Sequence, residues 1–512
     1  MELLLATLPF LLIFLLLIVF RMPAVKAMPL VFLATLALLA GYWRMTLEAT
    51  LASGLASLLV FLELFLIILF AVLLINIYKE TEVINKIEKF LASISPDYRV
   101  QAMLIAWAFV ALIEGAAGFG TPVALAAPFL VMLGFPVVKA IIIGLIGDST
   151  AVTFGAAGTP IIMGFTATDL TTEQIASVVV NSALIHLPLA MVATLAITYV
   201  IAEKGAFKEF IPFAVFSALA FTIPFTLTAI FIGPELPSIV GGIIAMILIS
   251  IAGKYNFLTP KNVVSFTNEK QEKTNLKSLV KPLTPFIAMI LALIITRNVE
   301  VLNNFFSSFQ YGFENILGTG IGESIQPLFT PYFYFLIAIL IAIPLFKANK
   351  EKVRSALFNS LDKIKYAMIT LVFVLFTAQL ILNSDINNAA MQGMTSILAE
   401  GLSSTMGSYY IYLSPFVGAL GTFVTGSSTV SNILLTSIQV DTAITVGGSA
   451  VLMASLQAVG SAAGNMFALH NIVTASAVVG LKEGEGEIIK YNTVIAAIYC
   501  LLAGIMGALF FL

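Results

Sequence analysis

Long apolar runs fill most of this 512-residue chain, and a few short, polar, glycine-rich breaks interrupt them. A run of about 20 apolar residues matches the helix length that crosses a bilayer core. Runs at 3–20, 27–43, 52–78, 98–113, 137–157, 174–201, 210–231, 236–252, 282–297, 331–346, 364–382, 406–425, 443–462 and 490–512 predict such helices. The stretches 116–134, 430–440 and 466–481 are apolar but short or broken by glycine, and predict half helices or re-entrant pieces. Roughly 11 to 14 crossings are expected on this count. The first run lacks a basic leader and a small-residue cleavage site, so it reads as an uncleaved first helix. Between runs, 79–97 carries charges at helical spacing (Lys79, Glu82, Lys86, Glu88, Lys89) and predicts an interfacial amphipathic helix or a solvated loop helix.

The breaks come in two matched pairs. The first pair is Glu114–Pro122 and Gly147–Thr150 running on to Gly155–Pro160. The second is Gly418–Gly421 running on to Gly426–Asn432, and Gln457–Asn465. The members of each pair lie about 40 residues apart, and the pairs lie roughly 300 apart, the layout of an internal duplication. Backbone that leaves the helix inside a bilayer persists only where protein buries it or a wet cavity receives it. The pattern predicts an all-α polytopic membrane protein of two pseudo-symmetric, inverted repeats with broken helices and re-entrant hairpins. The halves are 1–252, with broken elements at 114–134 and 147–160, and 282–512, with broken elements at 418–440 and 457–471. A cytoplasmic linker, 253–281, joins them.

Composition makes the bilayer the solvent. The chain is 60% hydrophobic and 10% charged, with mean hydropathy +1.05, where soluble domains carry about 25% charge. A net charge of -2 without any basic block gives no reason to expect nucleic acid as a partner. Orientation follows lysine and arginine. Lys79, Lys86, Lys89 and Arg99 mark one cytoplasmic loop, Lys254 to Lys281 the linker, and Lys347, Lys350, Lys352, Arg354, Lys363 and Lys365 a third. The segment 298–330 has no lysine or arginine and carries Glu300, Glu314 and Glu323, so it belongs outside. Counting spans from these loops puts both termini outside a cell membrane.

Few ionisable groups fall within the runs: Glu63, Glu114, Asp148 and His186, with His470 on a glycine-broken segment. Such groups are costly in lipid and are functional candidates by default. Glu63 stands far from any break and suits a structural contact or a protonated carboxyl better than a functional role. His186, close to Pro188, suits helix packing. Glu114 and Asp148 each open a break, where a carboxylate serves ion coupling or simply caps the next half helix. Together with His470 they are the candidates for ion coupling. Candidate substrate-binding residues are the small and polar ones of the breaks: Gly118, Gly120, Thr121, Ser149, Thr150, Ser427, Ser428, Thr429, Asn432, Gln457, Ser461 and Asn465. Hydroxyls and amides on short side chains suit a small hydroxy-carboxylate, whose carboxylate is met by N–H groups at a helix N-terminus. Packing by small residues explains some of this, but not prolines and polar triplets at the same four places.

Enzyme readings do poorly. Asp148 lacks the second aspartate of an intramembrane aspartyl protease, no serine elbow occurs, and no phosphate loop is present. One cysteine, Cys500, and two histidines exclude a thiolate or histidine-rich metal site, and no cofactor is called for. An ion channel, whose filter is usually one ring from several subunits, suits two duplicated breaks in one chain less well than alternating access.

Glu114-Gly115-Ala116-Ala117-Gly118-Phe119-Gly120-Thr121-Pro122 resembles the signature of the L-lactate/glycolate permease family. Ala126-Ala127-Pro128 and Leu133–Pro136 extend the likeness. Thr153–Pro160 and Gly418–Asn432 look like that family's second and third motifs, and the resemblance covers most of the chain. It implies a secondary transporter that takes up L-lactate or a related 2-hydroxy monocarboxylate with protons. It also implies a scaffold domain and a mobile transport domain, assembled as a homodimer. The chain departs from the family at Asp148, where an asparagine–threonine pairing is expected. It departs again after Gly464, where a lysine is expected and Asn465 stands. Asp148 is therefore a candidate proton carrier or Na⁺ ligand. A Na⁺-coupled carboxylate transporter or a Na⁺/H⁺ exchanger of the same fold stays open beside the proton symporter.

Overall fold

The computed structural model describes residues 1–510 apart from 21, 119, 167, 203–206, 261–262, 265–279 and 482–483. Lys261, Lys270, Lys273, Lys277 and most of the expected linker 253–281 thus lie outside the described residues, as does Phe119. The described chain is helical almost throughout, and nine of its helices are long and apolar enough to cross a membrane.

The first group of helices comprises α1 (Glu2–Phe14), α2 (Ala24–Leu38), α3 (Leu47–Glu80) and α4 (Val83–Ala92). Thr46 starts α3 by accepting the Ala49 N–H at 3.2 Å, an N-cap that offsets one of the orphan donors of the first turn. In α4 the buried Val83, Ile84, Ile87 and Phe90 share one face, while Asn85 and Lys86 are exposed, the division of an amphipathic helix. Next come α5 (Tyr98–Ala102), a π-helical stretch (Met103–Phe109) and α6 (Val110–Ala116), one continuous and entirely buried run. It ends where Gly118 (φ 54°) and Gly120 (φ 70°) turn the chain through left-handed backbone, a conformation that glycine adopts without a Cβ clash. α7 (Thr121–Met132) then returns as a half helix, α8 (Val137–Val152) comes next, and α9 (Gly155–Ile162) continues it across a 56° bend. α10 (Thr172–Ile201), α11 (Phe207–Phe231) and α12 (Pro237–Lys254) are unbroken long helices.

Beyond the linker stand α13 (Val280–Asn298), α14 (Glu300–Ser307), α15 (Pro331–Leu345), α16 (Lys350–Leu382) and α17 (Met394–Met406). Then come α18 (Tyr410–Thr425), α19 (Ser428–Thr445), α20 (Ala450–Gly464), α21 (Leu469–Val479) and α22 (Glu485–Phe510). The pattern of α6, Gly120, α7 in the first half recurs as α18, Gly426 (φ 74°), α19 in the second.

Packing separates two sets of helices. α2, α3, α15 and α16 pack together, while α6, α8, α10, α11, α12, α18, α20 and α22 form the other set, and α19 touches both α16 and α20. Three outcomes differ from the sequence expectation. The piece expected at 430–440 is an 18-residue helix, α19. The span expected from 364 starts at Lys350, capped by Asn349, because its charged first turns still hydrogen-bond as helix. The segment 298–330 holds a short antiparallel hairpin, β1 (Tyr311–Phe313) with β2 (Glu323–Ile325), that its few residues do not announce. Glu63 accepts a hydrogen bond from Thr330 at 3.1 Å beside this hairpin.

Candidate functional site

All four breaks line one small, partly open cavity. Glu114, Gly118 and Gly120 line it from the first break, and Gly155, Ala156 and Pro160 from the second. Gly426, Ser427, Ser428 and Thr429 line it from the third, and Asn465 from the fourth. Two helix N-termini meet here. α7 begins at Gly120 with no side chain capping it. α19 begins at Ser427, whose hydroxyl accepts the Val430 N–H at 3.3 Å. N-terminal N–H groups and the aligned peptide dipoles favour an anion at such a place.

Two carboxyls belong to this site. Glu114 (6% exposed) sits in the last turn of α6 and faces the cavity, and Asp148 (1% exposed) lies behind it in α8. The two carboxyls are near neighbours, close enough to interact. Asn465 donates to Asp148 Oδ2 at 2.8 Å, and Asn471 donates to Asn465 Oδ1 at 2.5 Å. Asp148 Oδ1 is buried and has no hydrogen-bond partner among the described residues. Two carboxylates this close and away from water repel each other; one proton shared between them removes the repulsion and supplies the missing donor. Among the described residues no group of three His, Cys, Asp or Glu side chains suits a metal ion.

The other residues singled out in the sequence take three kinds of place. A first set braces the cavity wall. Ser461 shares a 2.6 Å hydrogen bond with Ser428, and Asn432 donates to the Pro160 carbonyl at 2.9 Å. Gln457 donates to Ser431 Oγ and Asn432 Oδ1, each at 3.2 Å, and Thr121 accepts from Lys363 of α16 at 2.9 Å. A second set points elsewhere: Ser149 donates to the Ile146 carbonyl at 2.7 Å, and Thr150 pairs with Tyr499 at 3.1 Å. His470 is exposed with its Cβ near Gly426 and does not line the cavity. Sequence reasoning leaves Gly155, Ala156, Pro160 and Gly426 off the residue list, although it names the breaks that contain them. It gives no signal for Lys363 as a partner of Thr121, because Lys363 reads as part of a charged loop.

A family model described as L-lactate permease matches residues 2–512. A Haemophilus influenzae relative that carries the name L-lactate permease provisionally is 33% identical over 484 residues, covering 90% of this chain and 89% of its own. The L-lactate permease of Bacillus subtilis is 28% identical, over 83% of this chain and 81% of its own. The glycolate permease GlcA of Escherichia coli is 27% identical, over 86% and 83%.

Proposed function

Because the chain belongs to the L-lactate permease family, we propose that it carries L-lactate or a related 2-hydroxy monocarboxylate across the cell membrane together with a proton. The observation that supports this best is the convergence of two helix N-termini and a buried carboxyl pair on one cavity. Broken transporter helices use their N-terminal ends for anionic substrate groups and their C-terminal ends for coupling ions. In this reading the substrate carboxylate sits at Gly120 and at Ser427–Thr429, and its 2-hydroxyl pairs with Ser428, Thr429 or Asn465. The Glu114–Asp148 pair holds the proton, and Asn465 links that pair to the substrate. Proton and substrate then favour each other's binding, which is the reciprocal free energy that coupling requires. The halves 1–252 and 282–512 act as inverted repeats, and the carrier works as a homodimer.

Uptake of labelled lactate into proteoliposomes tests the reading, with H⁺ and Na⁺ gradients imposed separately. Saturable accumulation driven by inward H⁺ supports it. Accumulation driven only by Na⁺ assigns the carboxyl pair to Na⁺ instead, and flux that does not saturate points to a channel.

Ser428→Ala and Thr429→Val should each raise the KM for lactate. A lost hydrogen bond worth about 0.5–1.5 kcal/mol corresponds to roughly 2- to 10-fold, and more where the partner is charged. Unchanged KM in both, at matched amounts in the membrane, assigns these hydroxyls to packing.

The lysine pattern implies that 298–330 is outside and the start of α16 is inside. Native Cys500 is buried, so engineered cysteines report cleanly. Ser308→Cys should react with an impermeant thiol reagent on intact cells, and Lys352→Cys only after permeabilisation. The reverse result inverts the topology.

A further inference from the structure

His186, Tyr499, Thr150 and Thr153 form one buried hydrogen-bonded group that joins α8, α10 and α22 outside the cavity. His186 and Tyr499 are both 0% exposed. His186 Nε2 shares a 2.6 Å hydrogen bond with Thr153 Oγ1, and His186 Nδ1 shares a 2.7 Å bond with the Tyr499 hydroxyl. Tyr499 in turn pairs with Thr150 Oγ1 at 3.1 Å. Thr150 and Thr153 are one turn apart, so the group leaves the end of α8 and returns to it. An imidazole offers one donor and one acceptor, and hydroxyls serve as either, so both ring nitrogens are satisfied in either tautomer.

The backbone beyond Thr153 is strained. α8 ends at Val152, and the start of α9 is itself non-helical, with Ala156 (φ 41°) and Ala157 (φ 52°) in left-handed backbone. Residues with a Cβ adopt that conformation at a cost and keep it only where their surroundings over-determine it. The break is anchored on both sides. Ser238 donates to the Ala151 carbonyl at 2.7 Å ahead of it, and Thr159 donates to the Ala156 carbonyl at 2.5 Å within it. At its first residue the Thr153 hydroxyl is held by the short bond to His186 and by a longer one, 3.5 Å, to the Ala458 carbonyl. Downstream of that anchor lie Gly155 and Ala156, which line the cavity, and Gly155 lies directly against the Glu114 carboxyl.

We infer that His186 is a positioning residue for transport: through Thr153 it holds the end of α8 so that Gly155 and Ala156 form the cavity wall against Glu114. It touches neither the cavity nor the carboxyl pair. The inference rests on the cavity being the substrate site, and the experiment separates the two.

His186→Gln and His186→Asn are compared after reconstitution. The glutamine amide lies where Nε2 does and keeps the bond to Thr153. The asparagine amide lies where Nδ1 does, keeps Tyr499 and abandons Thr153. The glutamine variant should keep the wild-type KM for lactate within about twofold, and the asparagine variant should raise it about tenfold. Equal KM in the two variants overturns the inference. Should either variant fail to fold, Thr153→Ser and Thr153→Val make the same comparison, with the higher KM expected for valine alone; equal values overturn it. A measurement that needs no substrate is thiol labelling of Ala156→Cys. Its rate should change when His186→Asn is added and stay constant with His186→Gln, and an identical rate in both overturns the inference. Absence of lactate uptake by the wild type overturns the substrate reading alone, since the labelling comparison still decides the role of His186.

Discussion

Asp148→Asn should abolish uphill accumulation of lactate while exchange between equal pools continues. The reason is the closeness of Asp148 and Glu114, both buried. In the proposed mechanism the wild-type pair takes up a proton and gives it back, so its charge changes during a cycle. An asparagine amide is a permanent donor to Glu114 and never titrates, so the pair no longer exchanges a proton with the cavity. Substrate still binds and crosses, but the accumulation ratio falls to about 1 because nothing links it to the ion gradient. Glu114→Gln should do the same, because it removes the carboxyl that faces the cavity. The double variant should be no worse than either single one, since members of one unit act non-additively. Normal accumulation in both single variants would remove the carboxyl pair from coupling. Normal accumulation in only one assigns the proton to the other carboxyl.

Gly147→Ala should lower both stability and uptake. Alanine in a helix interior is favoured over glycine by about 1 kcal/mol, so propensity alone predicts a gain. The packing reverses the sign. A Cβ at Gly147 would fall on the backbone carbonyl of Ala106, with the carbonyl carbon 2.7 Å away. Neither backbone can step aside as a flexible side chain would, so the π-helical stretch and α8 must separate. Overpacking of this kind typically costs about 1–3 kcal/mol. The displacement falls on Asp148, the next residue, and on its 2.8 Å bond to Asn465. A drop in melting temperature together with an uptake rate reduced about tenfold is the expected outcome. Gly54→Ala in α3 is the control, because a Cβ there meets nothing within 4 Å, and its melting temperature should hold or rise. Equal behaviour of the two variants would deny the close approach of Gly147 to Ala106.

Much of the architecture is written in local pattern. The broken helices are legible because a bilayer allows backbone to leave the helix only at special places, and glycine, proline and short polar residues mark them. The helix at 83–92 is legible from its charge spacing. The hairpin at 311–325 is not, because three-residue strands carry too few positions to show alternation. The length of α19 is hidden because its polar start, Ser427 to Asn432, has the composition of an interruption. In the fold Ser427 caps the helix, and the residues after it are the first turns.

By itself, then, the sequence determined the class of molecule, the four breaks and the small polar residues at them. These are properties of neighbouring residues: apolar length, backbone freedom and capping. Which polar residue faces the cavity was decided only in three dimensions. Ser149 and Thr150 stand beside Asp148 just as Ser428 and Thr429 stand beside Ser427, yet the first two turn to Ile146 and Tyr499, and the latter two line the cavity. The bond from Asn465 to Asp148 spans 317 positions of sequence, and that between His186 and Tyr499 spans 313. A helix's rotation about its own axis is set by the partners it packs against. No spacing within one helix records which side chains of another will meet it.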